Sequence, residues 1–348
     1  MSHSRIALWS VAALALMLIA PFLLQLVLPL NQAQFWTANI LGRALVFGII
    51  AMSLTFLATY GGFISFAQMT IAGIAGYTVA VFVQGAVPVI VGGLGYAIAI
   101  PLGLLAATIA GLAVGAISVR TRDIYLLMIT LALAMGVFRF IETNIAWFNG
   151  YEGIRNVVGP EVFGLPFRNT YVFYYTVLAT AALLYAGVLY LVRSPFGLVL
   201  QGIRDNPRRV AALGYNVALH RIASFGVAGF IAGCGGVLAT FYNIGISPGS
   251  IGLGATVNIL IMSVIGGLGH PIGAFIGALI FAVFDTFAAS IYDRNRFNTL
   301  IGLVFLVIVL ASPDGVLGLK DRIVRLLGVT RAKPDQGNDA GPGQRAVS

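Results

Sequence analysis

The residues able to do chemistry are few, and many of them fall in one stretch. Between two long apolar runs, residues 193–221 carry Arg193, Arg204, Asp205, Arg208, Arg209 and Arg221. Asn206 followed by Pro207 is a helix start, because the amide side chain caps free backbone N–H groups and the fixed φ of proline suits a first turn. Gly214 fits a left-handed stop. The spacing predicts a short helix from Pro207 to Leu213, about 10 Å long at roughly 1.5 Å per residue. Arg208 and Arg209 lie near its N-terminus, where positive charge opposes the helix dipole. Helix stability therefore does not explain them, whereas a partner or anionic lipid headgroups would. Ala211 and Ala212 keep this helix narrow enough to dock closely into a groove on another protein.

Elsewhere the chemistry is sparse. The two lysines, Lys320 and Lys333, follow no G-x-x-x-x-G pattern, so the chain carries no phosphate-cradling ATPase loop, and any ATP use falls to another chain. His3, His220 and His270 are far apart, there is no H-E-x-x-H or G-x-S-x-G, and Cys234 is the single cysteine. No catalytic residue, metal site or bound cofactor is expected in this chain. A secondary carrier couples through midplane carboxylates or broken helices, yet Asp285 is the one carboxylate well inside an apolar run and lies toward its outer end. It reads as an interhelical or snorkelling group, and Arg43 similarly. Arg139 has Glu142 at i+3, the spacing of a local ion pair on one helix face. Polar residues that could line a solute pathway are Ser65, Gln68 and Thr70 in one apolar run and Thr256, Asn258 and Ser263 in another. Each equally suits an interhelical hydrogen bond.

The elements that position these groups follow from composition. Charged residues make up 9% of the 348 and hydrophobic ones 59%, with a mean hydropathy of +0.97. Soluble domains carry about 25% charge, so this is an all-α polytopic membrane protein. A span needs roughly 20 apolar residues. About ten candidates occur: Ile6–Leu28, Asn39–Thr59, Phe63–Gln84, Val89–Val119, Ile124–Ile141, Tyr171–Val192, Arg221–Tyr242, Gly254–Leu268, Ile272–Ile291 and Thr299–Ala311. The first reads as an uncleaved anchor, and Gly254–Leu268 is short enough to be tilted or re-entrant. Arg in short loops stays cytoplasmic. That rule places both termini, Arg120 to Asp123 and residues 193–221 inside, with the loop Glu142 to Thr170 outside. The net charge of +9 thus reads as topology, and nucleic acid is not an expected partner. Residues 1–38 form an anchor and outer loop, 39–318 a core with the cytoplasmic loop 193–218, and 319–348 a basic tail expected to be disordered beyond about Ala332.

The 43 glycines weaken soluble helices but let helices approach in lipid, and Gly111/Gly115, Gly229/Gly233 and Gly273/Gly277 form small-residue packing faces. Gly61-Gly62 and Gly266-Gly267 with Gly269 read as helix breaks that could bound a pathway.

The run from Gly197 to Val217, GLVLQGIRDNPRRVAALGYNV, resembles the cytoplasmic signature of the M-type permease subunits of branched-chain amino-acid ABC importers. Gly62 to Tyr77, Arg122 to Ala132, Ile265 to Ala274 and Ser312 to Gly318 agree with that family in the same order, so the likeness covers about Asn39 to Gly318. The resemblance implies a permease subunit in a bacterial inner membrane. It would pair with a homologous second permease, two cytoplasmic ABC ATPases that bind ATP, and a periplasmic or extracellular solute-binding protein. The helix 207–213 would be the coupling helix, with Arg204, Asp205, Pro207, Arg208, Arg209, Ala211, Ala212 and Gly214 at the ATPase contact. The E-A-A-x-x-x-G pattern of the better-known importer permeases is absent, since Arg209 and Val210 precede Ala211-Ala212 and Gly214 comes early. Branched-chain amino acids are the expected cargo; related permeases are associated with urea, short amides and aromatic acids. A rival of another class is an autonomous channel or secondary carrier.

Overall fold

The computed structural model describes residues 16–26, 29–84, 95–121, 123–161 and 164–291, with 302, 315 and 316. The helices are α1 (Leu16–Leu26), α2 (Leu30–Gly61), α3 (Gln68–Gln84), α4 (Tyr96–Ser118), α5 (Asp123–Thr143), α6 (Ile145–Phe148) and α7 (Thr170–Arg193). They continue with α8 (Pro195–Asp205), α9 (Pro207–Ala212), α10 (Val217–Tyr242), α11 (Leu253–Gly266) and α12 (Ile272–Ile291). The fold is nearly all-α. Among the described residues the exception is a two-residue antiparallel pairing of β1 (Ile154–Arg155) with β2 (Gly245–Ile246).

Among the described residues, six helical stretches are long and apolar enough to cross a membrane: α2, α4, Ile124–Thr143 of α5, α7, α10 and Pro248–Gly266, which includes α11. Three shorter apolar helices join them, α1, α3 and Ile272–Phe287 of α12. The expected tenth span, 299–311, and the tail lie outside the described residues. Three boundaries differ from the sequence reading. The helix before Arg43 starts at Leu30, so 30–38 belongs to α2 and not to an outer loop. The span expected from Phe63 becomes helical only at Gln68, because Gly62 takes a left-handed conformation (φ 75°) and residues 62–65 form no regular element. The expected span Val89–Val119 is helical from Tyr96, residues 89–94 lying outside the described set.

Burial separates inner helices from outer ones. The apolar window of α2 is 83% buried and that of α10 72%, against 22% for α4 and α5. α10 packs on α2, α3 and α4, and α12 packs on α2 and α11. The outer helices present Leu105, Ile109, Met128, Leu183 and Tyr190 outward. Water would not tolerate so many exposed apolar side chains in rows, whereas hydrocarbon does. Small residues set the closest approaches. A Cβ on Gly229 would stand 2.7 Å from the Ala107 carbonyl and 3.1 Å from Gly111 Cα, which fixes where α10 crosses α4. Gly277 meets α11 at the Met262 carbonyl in the same way.

Contacts gather at two ends of this bundle. At one, Gln84 donates to the Arg155 carbonyl, and the Tyr96 hydroxyl donates to the Val158 carbonyl at 2.5 Å. At the other lie the end of α2, the pair α8–α9 and the turn between α11 and α12.

Gly229→Val should overpack the α4–α10 crossing and lower stability by about 1–3 kcal/mol, read as the unfolding midpoint of the purified protein in detergent. Gly136→Ala, where nothing lies within 4 Å of the added Cβ, should leave that midpoint unchanged or slightly raised.

Candidate functional site

The helix foreseen at 207–213 is α9, one residue shorter, with Leu213 as its C-cap. Asn206 Oδ1 accepts from the Arg209 amide at 3.1 Å, and Gly214 takes the left-handed turn (φ 88°). Val210 is the buried anchor of α9, 7% exposed and set against Gly202 of α8. With Val210 turned inward, Arg208, Arg209, Ala211, Ala212, Leu213 and Gly214 all face outward. Leu213 is 72% exposed, an apolar side chain beside two cations on a free helix face.

Arg204, at the end of α8, faces two ways. Its Nε donates to Asp205 Oδ1 at 3.2 Å, in an exposed pair worth little by itself. Its Nη1 donates to the carbonyl of Thr59. Thr59 lies in a π-helical segment, Leu57–Gly61, that closes α2. Its hydroxyl donates in turn to the carbonyl of Leu268, in the turn between α11 and α12. The two glycine breaks read from sequence are thereby brought together, Gly61-Gly62 on one side and Gly266-Gly267 on the other. A Cβ on Gly62 would meet Arg204 Cγ at 2.5 Å, so that approach requires glycine. Arg204 and Pro207 also border a cleft of about 480 Å³ shared with Gly62, Phe63, Thr121 and Arg221. Across it the Arg221 guanidinium stands over the Phe63 ring at 5.3 Å.

The polar residues expected along a pathway divide into groups. Gln68 and Ser263 are buried, Gln68 accepting from Ser53 Oγ at 3.0 Å and Ser263 donating to the Ala51 carbonyl at 3.2 Å. Both therefore bind α2. Ser65 is spent locally, accepting from the Ala67 amide at 3.2 Å ahead of α3. Gln68 Nε2, Thr70 Oγ1 and Thr256 Oγ1 are buried with no hydrogen-bond partner among the described residues. Such groups cost about 1–3 kcal/mol each, so this interior is suited to polar contact. Asn258 stands apart, lining a cavity of about 140 Å³ between α2, α3, α10, α11 and α12.

Arg43 also lines that cavity, and its guanidinium pairs with Asp285 of α12. The sequence marks both residues as unusual without joining them, because their pairing depends on the packing of α2 against α12. Thr59 and Ser53 were equally invisible, being ordinary hydroxyls on apolar helices. The Arg139–Glu142 pair, set by local spacing, is present at 2.7 Å.

His270 lies in the turn that Thr59 holds. Burial lowers its imidazole below the usual histidine range, and its Nδ1 accepts from the Ile272 amide at 3.3 Å.

These elements define a multi-pass, nearly all-helical membrane protein with a capped basic helix exposed at one end. A family model described as branched-chain amino acid transport system / permease component matches residues 36–310, and the chain belongs to that family. It is 26% identical over 240 residues to the probable branched-chain amino acid transport permease protein LivM of Methanocaldococcus jannaschii, covering 62% of this chain and 67% of that one. It is 23% identical over 293 residues to the high-affinity LivM permease of Escherichia coli (strain K12), covering 77% of this chain and 65% of that one. It is also 29% identical over 234 residues to the autoinducer 2 import system permease protein LsrC of Klebsiella pneumoniae, covering 65% and 62% of the two chains. The matches thus span about two thirds of the relatives' own length. No solved structure matches.

Asn206→Ala removes the cap of α9 and should cost about 1 kcal/mol, seen as faster amide exchange confined to 207–214. The His270 effect has a definite sign. A histidine with a depressed folded value takes up its proton first in the unfolded chain, so stability is intact above its ordinary value of 6.5 and drains as pH falls below it. Exchange in 267–273, corrected for its intrinsic pH dependence, should accelerate between about pH 7 and about pH 5. His270→Gln should abolish that acceleration.

Proposed function

We propose that this chain is one of the two membrane subunits of an ATP-driven importer for branched-chain amino acids in a bacterial inner membrane. Its partners are a homologous permease, two cytoplasmic ABC ATPases that bind the ATP, and a solute-binding protein on the outer side. The observation that carries this reading is α9, a helix whose single buried side chain leaves a basic and apolar face free, tied through Arg204 and Thr59 to the ends of α2 and α11. The family match and the two LivM relatives support it.

We take ten spans: α1, α2, α3, α4, α5, α7, α10, α11, α12 and the apolar run 299–311 that lies outside the described residues, with both termini cytoplasmic. The two ends of the bundle support this orientation, since α8, α9 and Arg221 gather at one end and Glu142 in the last turn of α5 with Glu152 in the loop after it at the other. The mechanism follows from the contacts. When the ATPases close on ATP, the groove holding α9 moves, and Val210 carries the motion into α8. Arg204 transmits it to the end of α2, and Thr59 passes it to the turn at Leu268 and so to α11 and α12. These helices enclose the polar interior, so the pull exchanges outward for inward access. The chain itself performs no bond-making step.

Arg208→Glu with Arg209→Glu should lower leucine uptake at least about tenfold while leaving membrane abundance unchanged, measured in the reconstituted complex with ATP hydrolysis followed in parallel. Unchanged uptake would remove α9 from the coupling path. Competition of labelled leucine by isoleucine and valine, but not by urea, short amides or aromatic acids, is the expected cargo profile.

A further inference from the structure

The cavity at Arg43 has the build of a ligand site. Its walls include Phe47, Met69, Met262 and Phe281, while Arg43 and Asn258 bring polar groups to it. Such a mixture, apolar walls with a few placed polar groups, is the usual composition of a small-molecule pocket. Its volume is about 140 Å³, room for about five waters at roughly 30 Å³ each, so its occupant is a small solute.

Asp285 lies one turn beyond Phe281 on α12 and pairs with Arg43, each side chain retaining partial exposure of 22% and 29%. Charges within a membrane bundle are held in pairs because each alone is costly. That constraint also selects what can separate them. An anion drawn to Arg43 strands Asp285, and a cation drawn to Asp285 strands Arg43. A zwitterion answers both, its carboxylate on the guanidinium and its ammonium on the carboxylate, and leaves neither charge unpaired.

We propose that the Arg43–Asp285 pair is a latch that opens to bind the zwitterionic head of a small aliphatic amino acid, with the apolar side chain lying against Phe47, Met69, Met262 and Phe281. This deepens the importer reading and rests on it. The cavity is a way-station inside the membrane, where selection by charge and shape is repeated after the solute has entered from outside.

The test uses the reconstituted complex with its ATPases, second permease and solute-binding protein, and compares wild type with Arg43→Gln/Asp285→Asn. Replacing both charges by neutral amides of similar shape removes the ion pair without leaving either member stranded, so a merely structural pair tolerates it. Leucine uptake should fall by about tenfold or more, with membrane abundance and co-purification of the partners unchanged. A second readout follows occupancy directly. Asn258→Cys in a Cys234→Ala background should be labelled by a small thiol reagent, and leucine should slow that labelling several-fold, an effect lost when the two charges are also neutralised. Uptake by the double variant at the wild-type rate, or labelling at residue 258 indifferent to leucine while the Asn258→Cys/Cys234→Ala variant itself still imports it, overturns the site alone. A wild-type complex that imports no branched-chain amino acid overturns the importer reading and the site with it.

Discussion

Thr59 accepts the Arg204 guanidinium at its carbonyl and donates its hydroxyl to the carbonyl of Leu268. One residue thus joins α8, the end of α2 and the turn between α11 and α12. The junction exists because the backbone loosens there. A π-helical segment followed by the left-handed Gly62 frees a carbonyl at the end of α2, and a π turn is a recurrent device for bringing such groups to a functional contact. A regular helix running on through Phe63 would keep that carbonyl in its own ladder. Glycine at 62 then admits the Arg204 side chain against the backbone. The rest of the bundle is arranged around this tie, since α2 is also the most buried helix and touches α3, α10, α11 and α12.

A bilayer imposes the other constraint. With lipid as apolar as leucine, helices gain little from hiding hydrocarbon, so contact relies on close approach and hydrogen bonds. Glycines bring α10 onto α4 and α12 onto α11, and hydroxyls and amides join α2 to α3 and α11. Such interfaces slide more readily than interlocked large side chains, which suits helices that exchange two arrangements. The polar groups left in the interior without partners among the described residues, Gln68 Nε2, Thr70 Oγ1 and Thr256 Oγ1, lie among these same helices.

How much of this was legible beforehand depended on range. α9 was readable almost to the residue because Asn206, Pro207 and Gly214 act within one turn of where they stand, and the Arg139–Glu142 pair for the same reason. Membrane character followed from composition alone. Boundaries that depended on single residues escaped: Gly62 delays α3 to Gln68, and α2 reaches back to Leu30 through a stretch read as a loop. Where each candidate pathway residue sits depended on tertiary packing: Ser65 accepts from its own turn, Gln68 and Ser263 bond to α2, and Asn258 lines the cavity at Arg43. Thr59 and the Arg43–Asp285 pair carried no local signal, because each is defined by helices distant in sequence coming into register.

The central claim is that this chain is driven from one face by partner ATPases. Affinity purification of the tagged protein from its native membrane in mild detergent, with every co-purifying chain identified, tests it most directly. The account predicts recovery of an ABC ATPase and a second, homologous permease. Recovery of this chain alone, as an oligomer that moves solute in liposomes without ATP, would contradict it in favour of an autonomous channel or carrier.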